Sequence, residues 1–273
     1  MTNQIRVYCH PASELRTQFF LGILGIAMLA GVAWVENKYI PLVVVGAVGI
    51  IFANWRSNKL KTVISDDGIS TQGVFGEKSL RWNEINRISG RGYGLRLHNL
   101  DGDVALSPSI ELPGYEEVIE TIGAQRPDLF SPSRHPIFKK TAEYAILLPL
   151  VALVSIGVGV IVWLQAGNIG VIPFLVFFIT GLAVLGYSFS APQSVRIEGE
   201  ALWVKRLWGE KTFSVAEIRS VELAYQRDRS GRNYFVRLNL HRGKPLKLIG
   251  LAPAMLVVYL VLKKWHGENS KLV

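Results

Sequence analysis

The sequence predicts a membrane protein of mixed α and β class: four transmembrane helices arranged as two hairpins, each followed by an antiparallel β-barrel or sheet with a C-terminal helix. Three observations predict it. The 273 residues are 49% hydrophobic with a mean hydropathy of +0.28, more apolar than a soluble globular chain usually runs. Four runs, Phe19 to Val35, Tyr39 to Trp55, Tyr144 to Gln165 and Ile169 to Ser190, contain no Asp, Glu, Lys or Arg. The chain also matches itself at an offset of 133 residues, where Gly76-Glu77-Lys78 meets Gly209-Glu210-Lys211.

Taken in order, residues 1–16 read as a cytoplasmic N-terminus, 17–56 as a first transmembrane hairpin and 57–130 as a first β-rich domain. Residues 131–143 then read as a linker, 144–190 as a second hairpin and 191–273 as a second domain. Each apolar run is long enough to span, since about 17–25 residues at 1.5 Å rise cross a bilayer core. Trp34, Tyr39, Trp55, Tyr144, Trp163 and Tyr187 lie near the run ends, where amphipathic rings favour the headgroup layer. A buried core helix is the alternative for each run, and a cleaved signal peptide for the first, through Ala30-Gly-Val-Ala33. The second run follows the first after a few residues, which suits a hairpin better.

Lys and Arg beside the spans set orientation. The hairpin connections, Glu36-Asn37-Lys38 and Ala166-Gly167-Asn168, are nearly uncharged. Arg6, Arg16, Arg56, Lys59, Lys61, Arg134, Lys139 and Lys140 gather on the other side. Both termini and both soluble domains are therefore expected in the cytoplasm, on a multi-pass membrane protein. Cys9 is the only cysteine, so no intramolecular disulfide forms.

The repeat extends both ways from its glycines. Val74-Phe75 meets Leu207-Trp208, and Leu80, Glu84, Ile85 and Ile88 meet Phe213, Glu217, Ile218 and Val221. Further on the offset becomes 141, with Gly102 against Gly243, so the second copy carries about eight extra residues. Arg227 to Asn233 is the expected place for them, as a longer hairpin loop. Alternation is clearest at Phe235 to Leu240, where Val236, Leu238 and Leu240 face a core and Arg237 and Asn239 face water. Helical stretches close both copies, Gly114 to Ala124 and Ala252 to Trp265. The first is amphipathic, but Met255 to Leu262 is apolar on every face, so it needs cover from more than its own sheet.

A membrane hairpin, a curved antiparallel sheet, a Gly-x-x-x-h-x-h-x-Glu-Ile segment and a closing helix together resemble the bacterial membrane-flanked domain, a pleckstrin-homology-like (PH-like) family. The segment reads Gly76 to Ile85 in one copy and Gly209 to Ile218 in the other. The resemblance implies a bacterial inner-membrane protein carrying two cytoplasmic PH-like folds. Phosphoinositide-binding PH domains place basic residues in the loop joining their first two strands. Here that loop reads Ser65-Asp66-Asp67-Gly68 and Glu198-Gly199-Glu200, which would repel a phosphorylated headgroup.

No catalytic constellation stands out, so an enzyme is not expected, nor a metal or cofactor. The five histidines lack metal-pair spacing, and no nucleophile elbow or Walker sequence is present. The Gly-rich Ser89 to Gly94 leads into a strand rather than a helix N-terminus, so no helix dipole would face a phosphate. Charge is the clearest functional hint. From Arg56 to Lys140 there are 12 Lys plus Arg against 11 Asp plus Glu, hence +1; from Ala191 onward there are 15 against 7, hence +8. Arg227, Arg229, Arg232, Arg242, Lys244 and Lys247 are the candidate binding residues, expected as a basic patch at one end of the second domain.

Two readings of that patch stay open, a solvated face beside an anionic lipid leaflet and a docking site for an acidic protein partner. Nucleic acid is not an expected partner, because no recognition module accompanies the charge. The expected function is a non-enzymatic membrane-anchored scaffold or adaptor presenting two cytoplasmic PH-like domains. The alternative is a subunit of a transport or membrane-assembly complex acting through its helices.

Overall fold

A computed structural model describes residues 5–9, 44–46, 48–49, 52, 61–73, 76–91, 94–110, 112–228 and 231–270. The chain divides into two compact units, Met1–Arg87 with Arg96–Thr121, and Ile88–Leu95 with Ile122–Val273.

In the first unit, β1 (Arg6–Cys9), β2 (Lys61–Ile64), β3 (Gly68–Gly73) and β4 (Gly76–Arg81) form one antiparallel sheet in sequence order. Cys9 pairs with Lys61, so the strand ahead of the first apolar runs is stitched to the strand that follows them. A 3₁₀ turn, Trp82–Glu84, ends β4. The repeated glutamate explains it: Glu84 Oε2 accepts the Arg81 backbone N–H at 3.0 Å, satisfying a donor the turn orphans. The motif's apolar positions, Leu80, Trp82 and Ile85, are all buried. Beyond the turn β5 (Arg87–Arg91), β6 (Gly94–His98) and β7 (Val104–Leu106) make a separate sheet. The helix α1 (Tyr115–Gln125) buries Tyr115, Val118, Ile119 and Ile122 along one face, as their three-to-four spacing requires. Tyr8 ties β1 to this helix by donating to Glu117 Oε2 at 3.2 Å.

The second unit contains β8 (Ile137–Lys139), β9 (Ser194–Glu198), β10 (Ala201–Arg206) and β11 (Gly209–Ser214), paired in the order β11-β10-β9-β8. Glu217 caps its 3₁₀ turn as Glu84 does, accepting the Ser214 N–H at 2.7 Å. The strands β12 (Ile218–Asp228), β13 (Gly231–Leu240) and β14 (Leu246–Leu248) form the second sheet. The additional residues around Arg227 to Asn233 lengthen two strands rather than a loop. Pairing runs out to Arg227 with Arg232 and Asp228 with Gly231, supported by the tilted Tyr225–Tyr234 ring pair at 5.7 Å.

The closing helix α4 (Met255–Asn269) buries every residue from Met255 to Leu262, and Trp265. Strands β12 and β13 cover one side. The other side is covered at two glycines of the second unit, Gly90 and Gly123, which lie in the parts of β5 and α1 that fall within Ile88–Leu95 and Ile122–Val273. Gly90 leaves room for Ala254, and Gly123 for Leu260, whose Cδ2 would stand 2.7 Å from an added Cβ. Trp265 Nε1 donates to Gly199 O at 2.7 Å, and Lys264 Nζ to Pro127 O at 2.8 Å.

The expectation of four transmembrane helices in two hairpins, each leading into a single barrel or sheet, is corrected. Among the described residues there are four α-helices, and one helical segment, Glu143–Ser190, is long and apolar enough to cross a membrane. The strands lie in four separate antiparallel sheets. The sheets separate because each glutamate-capped 3₁₀ turn redirects the chain after the fourth strand, which interrupts the ladder. The hairpin expected over 17–56 lies outside the described residues, apart from helical positions at 44–46, 48–49 and 52.

Within Glu143–Ser190 the chain forms α2 (Leu148–Ala166), a 3₁₀ turn at Gly167–Gly170 and α3 (Val171–Ser190). Small residues let the two helices lie side by side: an added Cβ on Gly181 would meet Ile156 Cγ1 at 2.6 Å and Ala152 O at 2.9 Å. The outward side chains stay uncovered, with Leu153 61% and Ile172 74% exposed. Apolar surface on that scale demands a nonaqueous cover.

Candidate functional site

The six basic candidates do not form one cluster. Arg227 on β12 stands opposite Arg232 on β13 at one end of the long hairpin, where the Arg232 guanidinium lies 5.1 Å from the Tyr225 ring centroid. Arg242 and Lys244 are exposed in the turn beyond Leu240, at the other end of β13. Eight residue steps of strand, from Arg232 to Leu240, separate the hairpin end from the turn that carries Arg242, about 26 Å at strand rise. Lys247 lies between the two ends, paired with Arg237. Arg229 is outside the described residues.

Lys247 has a distinctive setting. The inward face of the β12-β13-β14 sheet carries Tyr234, Val236, Leu238 and Leu248, all buried. Its outward face carries Ala224, Phe235, Arg237 and Lys247 in adjacent register. Phe235 is nevertheless buried, because it packs in a cluster with Tyr144, Ala191 and Ile249, with Leu148 and Ala224 against its edge. Tyr144, Leu148 and Ala191 belong to the two feet of the apolar segment. The sheet's outward face is therefore docked on the base of the apolar helices, and Lys247 Nζ sits 4.0 Å above the Phe235 ring.

Backbone and side-chain hydrogen bonds lock that joint. Thr141 N donates to Gly250 O and Ala252 N to Lys139 O, both at 2.8 Å. Lys140 Nζ donates to Ser188 O at 2.8 Å, and burial pushes this ammonium below its ordinary pKa. The Tyr144 and Tyr187 hydroxyls share a hydrogen bond of 2.9 Å. Gly250, at φ +64, lies so close that a Cβ there would stand 2.7 Å from the Tyr144 ring. Lys140, Arg237 and Lys247 thus surround the point where the apolar segment emerges.

Sequence reasoning counted Lys140 only as a topology signal, Tyr144 only as an interfacial ring and Arg237 only as a water-facing strand residue. The signal that singles out Phe235 was present. It is a large apolar residue on the otherwise polar face of an alternating strand.

A shallow cavity in the first unit is lined in part by Ser65, Asp67, Ser79, Arg81 and Glu84. Two carboxylates face one guanidinium there, a poor host for a phosphate. The corresponding turn of the second unit is held from behind by Trp265 on Gly199. Among the described residues no group of three His, Cys, Asp or Glu side chains is placed to hold a metal ion, and Cys9 is exposed.

Both halves share an order of antiparallel strands, a capped 3₁₀ turn, three further strands and a closing helix. The family described as Bacterial PH domain matches residues 59–112. No curated protein and no solved structure matches the chain.

Proposed function

We propose that the chain is a non-enzymatic, membrane-anchored adaptor made of two PH-like domains in tandem, with the second domain seated on the anionic headgroup layer of its own membrane. The tandem reading draws on the shared order of strands, capped turn and helix in the two halves. Anchoring in this reading runs through α2 and α3, each crossing once. Their 19 and 20 residues give about 29 Å of helix apiece, matched to a bilayer core. Both domains then lie on the side rich in Lys and Arg, the cytoplasmic face of the inner membrane.

The observation that carries the proposal is the docking of Phe235 on the feet of the apolar segment. It holds Lys140, Arg237 and Lys247 around the base of the apolar helices, which in this reading is where lipid phosphates begin, and each such residue would gain about 1 kcal/mol from an anionic leaflet. An acidic protein partner is less well served, because the exposed pair in the turn, Arg242 and Lys244, is separated from the other cations.

Extraction of the full chain into polymer-bounded nanodiscs, followed by analysis of retained lipid, tests this. Enrichment of anionic over zwitterionic lipid should fall by roughly half in the Arg237→Gln, Lys247→Gln variant and persist in Arg242→Glu, Lys244→Glu. Equal enrichment in all three proteins would overturn the proposal.

A further inference from the structure

The turn between β10 and β11 carries the most exposed large apolar side chain described, Trp208 at 89%, beside Leu207 at 43%. The turn does not require either residue. Arg206 pairs with Gly209, and the positive φ that such a turn needs is supplied by Gly209, at +146. Polar residues would serve equally well at positions 207 and 208, and would avoid the cost of hydrating an indole.

Register shows where this tip points. Lys139 on β8 pairs with Ser194 on β9, and Ser194 pairs with Lys205 on β10. One step beyond that row, Lys140 N donates to Gln193 O, and Gln193 N to Lys205 O at 2.7 Å. Lys139 is four residues before the apolar segment and Ser194 four residues after it. The row Lys139–Ser194–Lys205 is therefore the edge of the sheet from which the apolar helices depart. Past that edge β10 has one more residue, Arg206, and the two-residue turn Leu207–Trp208 follows, so the tip projects beyond the edge by about 3–7 Å, one to two residues of strand rise. The tip therefore lies on the side of the sheet from which the apolar helices depart. Lys205, Arg206 and Lys211 flank the tip and are exposed, with Glu210 the one carboxylate among them.

We infer that the Leu207–Trp208 tip is a second membrane contact of the second domain, with Trp208 inserted at the headgroup–acyl boundary and Lys205, Arg206 and Lys211 on lipid phosphates. An exposed indole ringed by cations is the chemistry that boundary favours. Two contacts, the Phe235 joint and this tip, would fix the domain's tilt against the membrane, where one alone would leave it free to pivot. The first unit has a matching design in its pairing. Cys9 pairs with Lys61, Lys61 with Gln72 and Gly73 with Gly76, and the residues between those glycines, Val74 and Phe75, lie outside the described residues.

The inference rests on the membrane reading of Glu143–Ser190, so the test separates the two. In a Cys9→Ser background of the full chain, single cysteines replace Trp208, Glu200 in the turn at the opposite edge of the sheet, and Ile179 within α3. Each is labelled with a small fluorophore and reconstituted into phosphatidylcholine vesicles with or without lipids spin-labelled high on the acyl chain. Fluorescence at 208 should be roughly halved, with 179 also quenched and 200 unchanged. Quenching at 179 but not at 208 overturns the tip contact and leaves the membrane reading standing. No quenching at 179 overturns both. All three side chains are exposed, so the substitutions leave the core intact.

Discussion

Gly250→Ala is the sharpest probe of the joint between the apolar segment and the second sheet. Two costs combine at this position. A residue with a Cβ at φ +64 loses about 1–2 kcal/mol to left-handed backbone. The new methyl would also meet three atoms of the Tyr144 ring at 2.7, 2.7 and 3.0 Å, an overpacking that costs about 1–3 kcal/mol. The ring has no easy retreat. Its hydroxyl is bonded to Tyr187, the Tyr144 backbone carbonyl accepts from Ser188 Oγ, and the side chain packs in one buried cluster with Phe235, Ala191 and Ile249. The variant should therefore lose about 2–5 kcal/mol, lowering the unfolding midpoint of the full chain in detergent by at least ~4 °C. Tyr144→Ala removes the obstacle, so in that background Gly250→Ala should cost only its backbone share of about 1–2 kcal/mol. The double-mutant cycle then reads a coupling of about 1–3 kcal/mol. A Gly250→Ala protein that melts like wild type, or loses as much with Tyr144 absent as with it present, would refute the packing described.

Two further outcomes are expected. Trp265→Phe strands the Gly199 carbonyl, now bonded to the indole N–H at 2.7 Å. It should cost about 1–3 kcal/mol, seen as faster amide exchange in the β9–β10 turn and a lower melting midpoint. The Asp128 carboxyl is held below its ordinary value, chiefly by the hydrogen bond from Arg126. A depressed carboxylate pKa stabilises the fold above its unfolded value of about 3.9 and loses that contribution as pH falls through the folded value. The pair is largely solvated, so the effect is well under ~1 kcal/mol. Wild type should lose slightly more stability than Asp128→Asn between pH 6 and pH 3, and parallel pH profiles for the two proteins would argue against the pairing.

Much of the local structure was legible in residue order. Three-to-four spacing marked α1, and strict alternation marked β13. Repetition of Glu84 at Glu217 marked a feature of both halves, although its role as the cap of a 3₁₀ turn emerged only from the hydrogen bonds to Arg81 N and Ser214 N. The expected loop at Arg227 to Asn233 was misread because turn-forming Ser and Gly outweighed the flanking Tyr225 and Tyr234. Cross-strand packing of those rings extends the ladder to Asp228 and Gly231.

The candidate site was legible as charge and not as geometry. Arg242, Lys244 and Lys247 are near neighbours in the chain, yet β14 carries Lys247 back alongside Arg237 while the other two stay at the turn. Likewise, the all-apolar Met255 to Leu262 announced a need for cover, but only the tertiary structure supplied Gly90 and Gly123 as the surfaces that provide it. Trp208 stood in the repeat as a partner of Phe75, with nothing to say which way its turn faced. By itself the sequence determined the apolar segment, the strand and helix types and the charge excess of the second half, because these follow from side-chain chemistry and short periods. Tertiary structure decided which cations ring the foot of the apolar helices and which turn shares their edge of the sheet. Those depend on strand register, which pairs residues dozens of positions apart.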